Sequence, residues 1–600
     1  MCGYIGTLSL DQINLDKIVS QNKNIVCRGP DEKIIKSGNI SEFNNNIDIN
    51  YSFIFNRLSI IDLSSGASQP MFSRQYNSMI MFNGEIFNHR ELRKRLENEG
   101  VKFYSDHSDT EVVLNGISKH GKDFVNLLIG QFAFVFIDFN LMKFYLIRDR
   151  LGQKPLFYSI NDKSISFSSN LRSLVNISGQ SSIDYSSLSD YINYGVIPSP
   201  KTLFKNVYKL KPAEVIELAF DRSFSIKKKE LYWQIDNFVN TNKFNKEEFY
   251  ELFNDAVELR KEADVDIGAL LSGGIDSTSV VKALSKNSST INTFSIGYED
   301  NKYDESQWFE KVVNKYSTNH ITEKITNRDV DNYVHESIDA FDEPYSDPST
   351  VPSYVISKKI SNYYKVALTG DGGDELLGGY TRTQQILTFR KYNDKFISNI
   401  LKLYPWYFGT GNKISSRSSN LVSNYSSYLS DKKLLNKMNL KDNYMIENEY
   451  LSSSSTDIKK YMLADFKFYL SEMMMLKVDR TSMSNSLEAR SPFVDHRLVE
   501  YCLNSNLDFV IGDPKSVLKD YLGTDFDKDF LSRRKMGFVF NLEDWVYKNL
   551  NNIFDYFEEN EYFSDVYNLD LVKSLKTRKS RINAHRIWKL FIIEKYIQSF

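Results

Sequence analysis

Cys2 stands directly behind Met1. Removal of Met1 would put a free α-amine beside the thiol, and such an amine can take the proton that activates the nucleophile. Cleaving a primary amide through a thioester also needs donors for the developing oxyanion and charged groups that hold the two ends of an amino acid. Asn83-Gly84-Glu85 follows a strand-like run and provides those types: the Asn83 side chain and Gly84 N–H as oxyanion donors, Glu85 for an ammonium. Arg57 offers a planar fork for a carboxylate, and Asp109 a second ammonium partner. Taken singly, each has a plainer reading as a buried thiol, a strand-end turn, a surface ion pair or a helix cap.

A second chemistry is written further along. Leu270-Leu-Ser-Gly-Gly-Ile-Asp-Ser277 lies between a strand-like and a helix-like run, where backbone N–H groups and a helix N-terminus can cradle an anion. Gly273 and Gly274 permit close approach, Ser272 and Ser277 can donate to phosphate oxygens, and Asp276 can hold Mg2+. A Gly-Gly turn capped by Ser277 is the alternative; the spacing of a Walker loop is absent. Thr369-Gly-Asp-Gly-Gly-Asp-Glu375 leaves another strand-like run with three acids. Beside a polyphosphate, acids such as Asp371 and Asp374 call for Mg2+ between them or for a proton to remove. EF-hand spacing is missing. Lys477, in Lys477-Val-Asp-Arg480, can neutralise pyrophosphate charge or sit on an exposed helix face, and Met473-Met-Met475 before it reads as core packing.

The elements that must carry these groups differ between the two halves. Residues 1 to about 205 alternate short apolar runs with turns, as in Ser52-Phe-Ile-Phe-Asn-Arg57 and Gln131-Phe-Ala-Phe-Val-Phe136, interrupted by helical stretches at His89 to Asn98 and Asp109 to His120. That pattern predicts a layered α+β domain over residues 2–205. Pro198, Pro200 and Pro212 and a Lys- and Asn-rich tract make 206–245 a candidate linker. From 246 to 600, strand-like runs (Val265 to Leu271, Ile291 to Tyr298, Lys365 to Thr369) alternate with helical ones and predict a parallel sheet wrapped by helices. Beyond about 385 the pattern is mainly helical, with Ser-rich breaks at 415–430 and 452–456 read as surface loops.

Bulk properties exclude several classes. Six hundred residues exceed one core, and 41% apolar with 25% charged residues is ordinary globular composition. Lys plus Arg and Asp plus Glu nearly cancel, 75 against 77, so no overall field recruits nucleic acid or a membrane surface. Three scattered cysteines fit neither a disulfide scaffold nor a thiolate metal site, and the seven histidines are too isolated for a histidine-built centre. Apolar runs such as Phe132 to Ile137 are too short to span a bilayer. A soluble, cytoplasmic protein without a prosthetic group is the expectation.

Six motifs in order, Cys2-Gly-x-Ile-Gly6, Arg28-Gly-Pro-Asp31, Arg57-Leu-Ser-Ile60, Phe82-Asn-Gly-Glu85, Ser108-Asp-Thr-Glu111 and Arg148-Asp-Arg-Leu-Gly152, resemble class II, N-terminal-nucleophile glutaminase domains. The resemblance implies an αββα sandwich, Cys2 as nucleophile, and a glutamine pocket formed by Arg57, Leu58, Ile60, Ile61, Asn83, Gly84, Glu85 and Asp109. Val26-Cys27 replaces a basic pair usual in that family. The glycine loop, the acidic loop, Lys477 to Met483, Leu487-Glu-Ala-Arg-Ser-Pro-Phe493 and Arg534-Lys-Met-Gly-Phe538 are similar, in order, to the ATP-pyrophosphatase domain of asparagine synthetases. That similarity implies that Leu270 and Ile296 contact adenine, that Thr369 and Gly370 contact the nucleotide, and that Asp371 lies where an acyl-adenylate forms. The implied substrates are glutamine, ATP with Mg2+ on Asp276 and Asp374, and an acceptor carboxylate, by family default aspartate; a homodimer is compatible with it. Asp371 and Gly373 stand where the best-known members carry Glu and Ser, and Asp342-Glu-Pro-Tyr-Ser-Asp-Pro-Ser-Thr350 replaces their acceptor motif. Those departures keep open a branch that amidates sugar uronates of surface polysaccharides. A β-lactam synthetase is disfavoured because Cys2 is present, and a non-catalytic regulatory relative would be expected to lose Cys2, Asp276 or Lys477.

Overall fold

The computed structural model describes residues 2–600 except 45–46, 221–222, 289, 299–304, 389–393, 416, 418–420, 442–455, 534–539 and 559–568. Its N-terminal part stacks two antiparallel six-stranded sheets. The first contains β1 (Cys2–Ser9), β2 (Glu32–Asn39), β3 (Asn50–Arg57), β8 (Phe157–Asn161), β9 (Ser164–Ser168) and β10 (Tyr208–Lys209) in the order β10-β8-β9-β1-β3-β2. The second contains β4 (Met71–Ser73), β5 (Ser78–Ile86), β6 (Gly130–Asp138), β7 (Lys143–Arg148), β11 (Glu214–Phe220) and β12 (Phe224–Leu231) in the order β12-β11-β7-β6-β5-β4.

Strand alternation explains the layering. Tyr4, Leu8, Phe53 and Phe55 face Met79, Met81, Val135 and Leu146 in the core between the sheets. Ile5 and Ile54 point the other way, onto Ile18 of the helix Leu15–Ser20. On the far side, Ile80, Phe82 and Phe134 pack on Leu92 and Val113 of the helices His89–Asn98 and Asp109–His120, which match their predicted spans. The result is the αββα sandwich.

The predicted linker needs correction, because β10, β11 and β12 lie within 206–245 and belong to the sandwich. Lys227, Lys228 and Lys229 sit on β12, an edge strand whose exposed lysines discourage further pairing, so a Lys-rich tract was a strand edge and not a tether.

The second part is built on a five-stranded parallel sheet, β15-β14-β13-β16-β17, from β13 (Ile267–Leu270), β14 (Asn292–Tyr298), β15 (Asn319–Ile325), β16 (Val366–Leu368) and β17 (Glu488–Arg490). The last strand comes from the region read as helical, inside the Leu487–Phe493 motif. Of the Ser-rich stretch 415–430, Leu421–Leu429 is a helix with Leu421 and Tyr425 buried; apolar residues four apart outweigh the serines around them. The second Ser-rich tract, apart from Thr456, and the Arg534–Phe538 motif lie outside the described residues.

Candidate active sites and the interface between them

Cys2 begins β1 opposite Arg57 on β3, buried at the inner end of the ladder. Its N–H donates to Asn83 Oδ1 at 3.0 Å, while Asn83 Nδ2 is buried with no hydrogen-bond partner among the described residues. An amide with one end committed and a donor left over in a dry site is what an oxyanion requires. Burial pushes the Cys2 thiol up; a hydrogen bond from the Leu58 backbone and the Arg57 charge act the other way. Gly84 adopts φ +156°, and a Cβ there would lie 2.1 Å from the Gln131 carbonyl oxygen on β6, so only glycine lets the two strands close at this point.

Glu85 and Asp109 lie behind the nucleophile. Burial raises both carboxyls, and for Glu85 the neighbouring Glu488 and Asp109 add to the rise while Arg490 opposes it. Glu85 Oε2 has no hydrogen-bond partner among the described residues, and Asp109 Oδ2 accepts from Ile86 N at 3.0 Å. Such crowded carboxylates suit an ammonium. Arg57 Nη1 donates to Ser64 O at 2.8 Å and Nη2 to Asp62 O, so the fork braces its own loop. The side chains of Leu58, Ile60 and Ile61 turn into an apolar cluster with Val366 and Met483 of the second part.

The glycine loop runs from β13 into the helix Ile275–Ser285, capped by Gly274 without a side-chain bond. Ser272 Oγ and Ser277 Oγ lie 3.1 Å apart, and Gly274 N donates to Ser272 Oγ at 3.3 Å. The acidic loop leaves the neighbouring strand β16 and lies against it: a Cβ on Gly373 would meet Asp276 Oδ1 at 2.9 Å, and one on Gly370 would meet Ser277 N at 3.1 Å. Thr369 Oγ1 is buried without a hydrogen-bond partner among the described residues. Leu270 and Ile296 are half-buried at the carboxyl ends of β13 and β14, the edge where parallel sheets take ligands. Asp371 lies at the rim, its carbonyl accepting from Ser491 Oγ.

Lys515, not picked out from sequence, reaches into this site. Its Nζ contacts Asp276 Oδ2 and is 2.6 Å from Asp374 Oδ1, and those two carboxylates hold its pKa up against burial. No motif spacing connects it with the acids, which lie more than a hundred positions upstream. Lys477, on the helix Met475–Met483, is buried instead of exposed and donates to Ser349 Oγ at 3.0 Å, with Asp347 4.0 Å away. Among the described residues Lys515 contacts both acids, and Lys477 contacts the 342–350 loop. Arg533 also reaches Ser272 O, at 3.4 Å, while paired with Glu305.

Between the sites the two parts share a buried polar interface. Gln131 Nε2 donates to Glu488 Oε1 at 3.2 Å, Arg490 Nε binds the same oxygen at 2.6 Å, and Arg28 forks onto Asp479 at 2.8 and 3.0 Å. A cavity here is lined by Gln131, Gln153 and Lys154 from the sandwich and by Thr369, Asp371 and Ser491 from the second part.

Family comparison agrees with this division. Residues 1–233 match the model of the glutamine amidotransferase domain, and residues 248–595 match that of asparagine synthase. Asparagine synthetase [glutamine-hydrolyzing] 1 of Bacillus subtilis is 28% identical over 99% of this chain and 96% of its own length. Putative asparagine synthetase [glutamine-hydrolyzing] 2 of Methanocaldococcus jannaschii is 33% identical over 63% of this chain and 76% of its own. With both domain models matched in order over a sandwich and a parallel sheet, the chain belongs to the asparagine synthase family and is a glutamine-dependent amidotransferase of that type, a carbon–nitrogen ligase.

Proposed function

We propose that the chain uses ATP to convert an acceptor carboxylate, aspartate by family default, into its amide with nitrogen from glutamine. In the sandwich, Cys2 Sγ attacks the glutamine carboxamide carbon while its proton passes to the Cys2 amine exposed by removal of Met1. Asn83 Nδ2 and Gly84 N–H receive the oxyanion, ammonia leaves, and water hydrolyses the thioester to glutamate. In the second part, an acceptor carboxylate oxygen attacks the α-phosphorus of ATP and pyrophosphate departs. Ammonia then displaces AMP from the acyl carbon, losing a proton.

Asp276 and Asp374 supply hard oxygen donors on adjacent loops, which suits Mg2+, an ion bound through one or two carboxylates plus substrate phosphates. When bound it would neutralise phosphate charge; Lys515 and the helix N-terminus at Gly274 supply positive potential from the chain itself. The observation that carries the reading is the shared cavity. Gln131, whose carbonyl lies against Gly84 of the glutaminase pocket, forms one wall, and Asp371 of the acidic loop forms another, which supports a transfer of ammonia between the sites at this interface. Lys477 and Asp347, 4.0 Å apart, offer one cation and one anion, the pair that the α-carboxylate and ammonium of an amino-acid acceptor need.

The test measures glutamine-dependent AMP and pyrophosphate release with aspartate, uronates and nucleotide-linked uronic acids, using wild type and Cys2→Ala. We expect aspartate to stimulate release and Cys2→Ala to lose glutaminase by several orders of magnitude. Ammonium should restore synthesis in the variant. Stimulation by a uronate and not by aspartate overturns the acceptor, and wild-type glutamine use by Cys2→Ala overturns the nucleophile.

A further inference from the structure

The glutaminase nucleophile is anchored from the other domain. Arg28 Nε donates to the Cys2 carbonyl at 3.3 Å, and the two remaining guanidinium nitrogens form a bidentate pair with Asp479 at 2.8 and 3.0 Å. Asp479 lies on the helix Met475–Met483, two residues beyond Lys477. Arg28 and Asp479 are both almost completely buried, so solvent does not loosen the pair. β9 joins β1 from Ile5 onward and Ser169 extends the contact to Tyr4, so Cys2 and Gly3 lack that neighbour. The 3-10 turn Val26–Arg28 packs against the face of β1 here: a Cβ on Gly3 would lie 2.6 Å from Ile25 O and 3.3 Å from the Arg28 Cβ.

We infer that Asp479 is a positioning residue for glutamine hydrolysis, fixing the Cys2 backbone through Arg28 across the domain interface. A nucleophile at a strand end depends on its backbone anchors for the placement of its Sγ, and an error of about 1 Å in a reacting atom can cost about 100-fold in rate. Arg480 Nη1 at 2.7 Å and Lys154 Nζ at 3.8 Å from Asp479 add charge to the anchor but do not touch Cys2, so the link to the nucleophile runs through Arg28 among the described contacts. The fork geometry matters as well as the charge, since only a planar guanidinium can hold a carboxylate with two nitrogens and a carbonyl with the third.

This inference rests on Cys2 being the nucleophile, and a Cys2→Ala control separates the two. Glutamate release without ATP is measured for Asp479→Asn, Asp479→Glu and Arg28→Lys, alongside ammonium-driven synthesis. Asp479→Asn should lower glutaminase kcat about 10- to 100-fold with KM for glutamine within about threefold, because the ends of glutamine are held elsewhere. Asp479→Glu should recover much of that loss, and ammonium-driven synthesis should stay within about threefold of wild type. If Asp479→Asn keeps wild-type kcat, or if hydrolysis and synthesis fall together, the positioning role is wrong. Should the Asp479 variants fail to fold, Arg28→Lys reads the same link: an unchanged kcat there overturns it, and a loss with unchanged KM supports it. Retained hydrolysis in Cys2→Ala would instead remove the reading beneath.

Discussion

Replacing Lys515 with Met tests which lysine serves the pyrophosphate. Its Nζ is the cation between Asp276 and Asp374, 2.6 Å from the latter, with only 10% of the side chain exposed. Met keeps the bulk and removes the charge that both carboxylates contact. Breaking a buried ionic arrangement by deleting one partner costs about 3–5 kcal/mol, so the melting midpoint should drop by roughly 4–7 °C. Mg2+ alone should raise the melting midpoint of the variant more than that of the wild type, because a divalent ion replaces the missing charge. Loss of one preorganised charge at the leaving pyrophosphate is worth about 3–4 kcal/mol, which lowers glutamine- or ammonium-driven AMP formation about 100- to 1000-fold. Glutaminase activity, measured as glutamate release, should be unaffected. The reasoning fails if Lys515→Met forms AMP within tenfold of wild type while Lys477→Met does not.

Two further outcomes are expected. Gly84→Ala forces a Cβ to 2.1 Å from the Gln131 carbonyl and 2.6 Å from the Phe132 Cα, both backbone atoms, so β5 and β6 must part. Glutaminase should fall at least about 100-fold while ammonium-driven synthesis survives, and near-normal glutamate release would show that the strands yield without harm. Burial, then Asp374 and Asp465, push the Glu375 carboxyl up to about 7. A folded pKa above the unfolded ~4.3 means stability that is present below that value and lost as pH rises through about 7. Relative to Glu375→Gln, the wild type should therefore lose about 3 kcal/mol between pH 4.5 and 8 in apparent unfolding free energy, and a difference that stays flat refutes the shift.

The Asn83-Gly84-Glu85 motif at the end of β5 and the two glycine-rich loops were legible because each is contiguous: a few consecutive residues determine both backbone course and donor chemistry. The helices His89–Asn98 and Asp109–His120 and strands β13, β14 and β16 were equally readable, since hydrophobic period is local. Where reading failed, composition had stood in for spacing. Lysines at 227–229 suggested a tether and are an exposed sheet edge, and serines around 425 hid a helix whose Leu421 and Tyr425 point inward.

By itself the sequence determined the frames that present the candidate groups, with Cys2 at the head of a strand and Asp276 in the first turn of a helix. Only the tertiary structure decided which charges meet. Lys515 lies 239 positions from Asp276, Arg28 lies 451 from Asp479, and Gln131 lies 357 from Glu488, yet each pair is in contact. A buried ion pair leaves no periodicity or spacing in the chain, because its partners are brought together by packing of whole domains and the low dielectric that gives the contact its strength exists only after that packing.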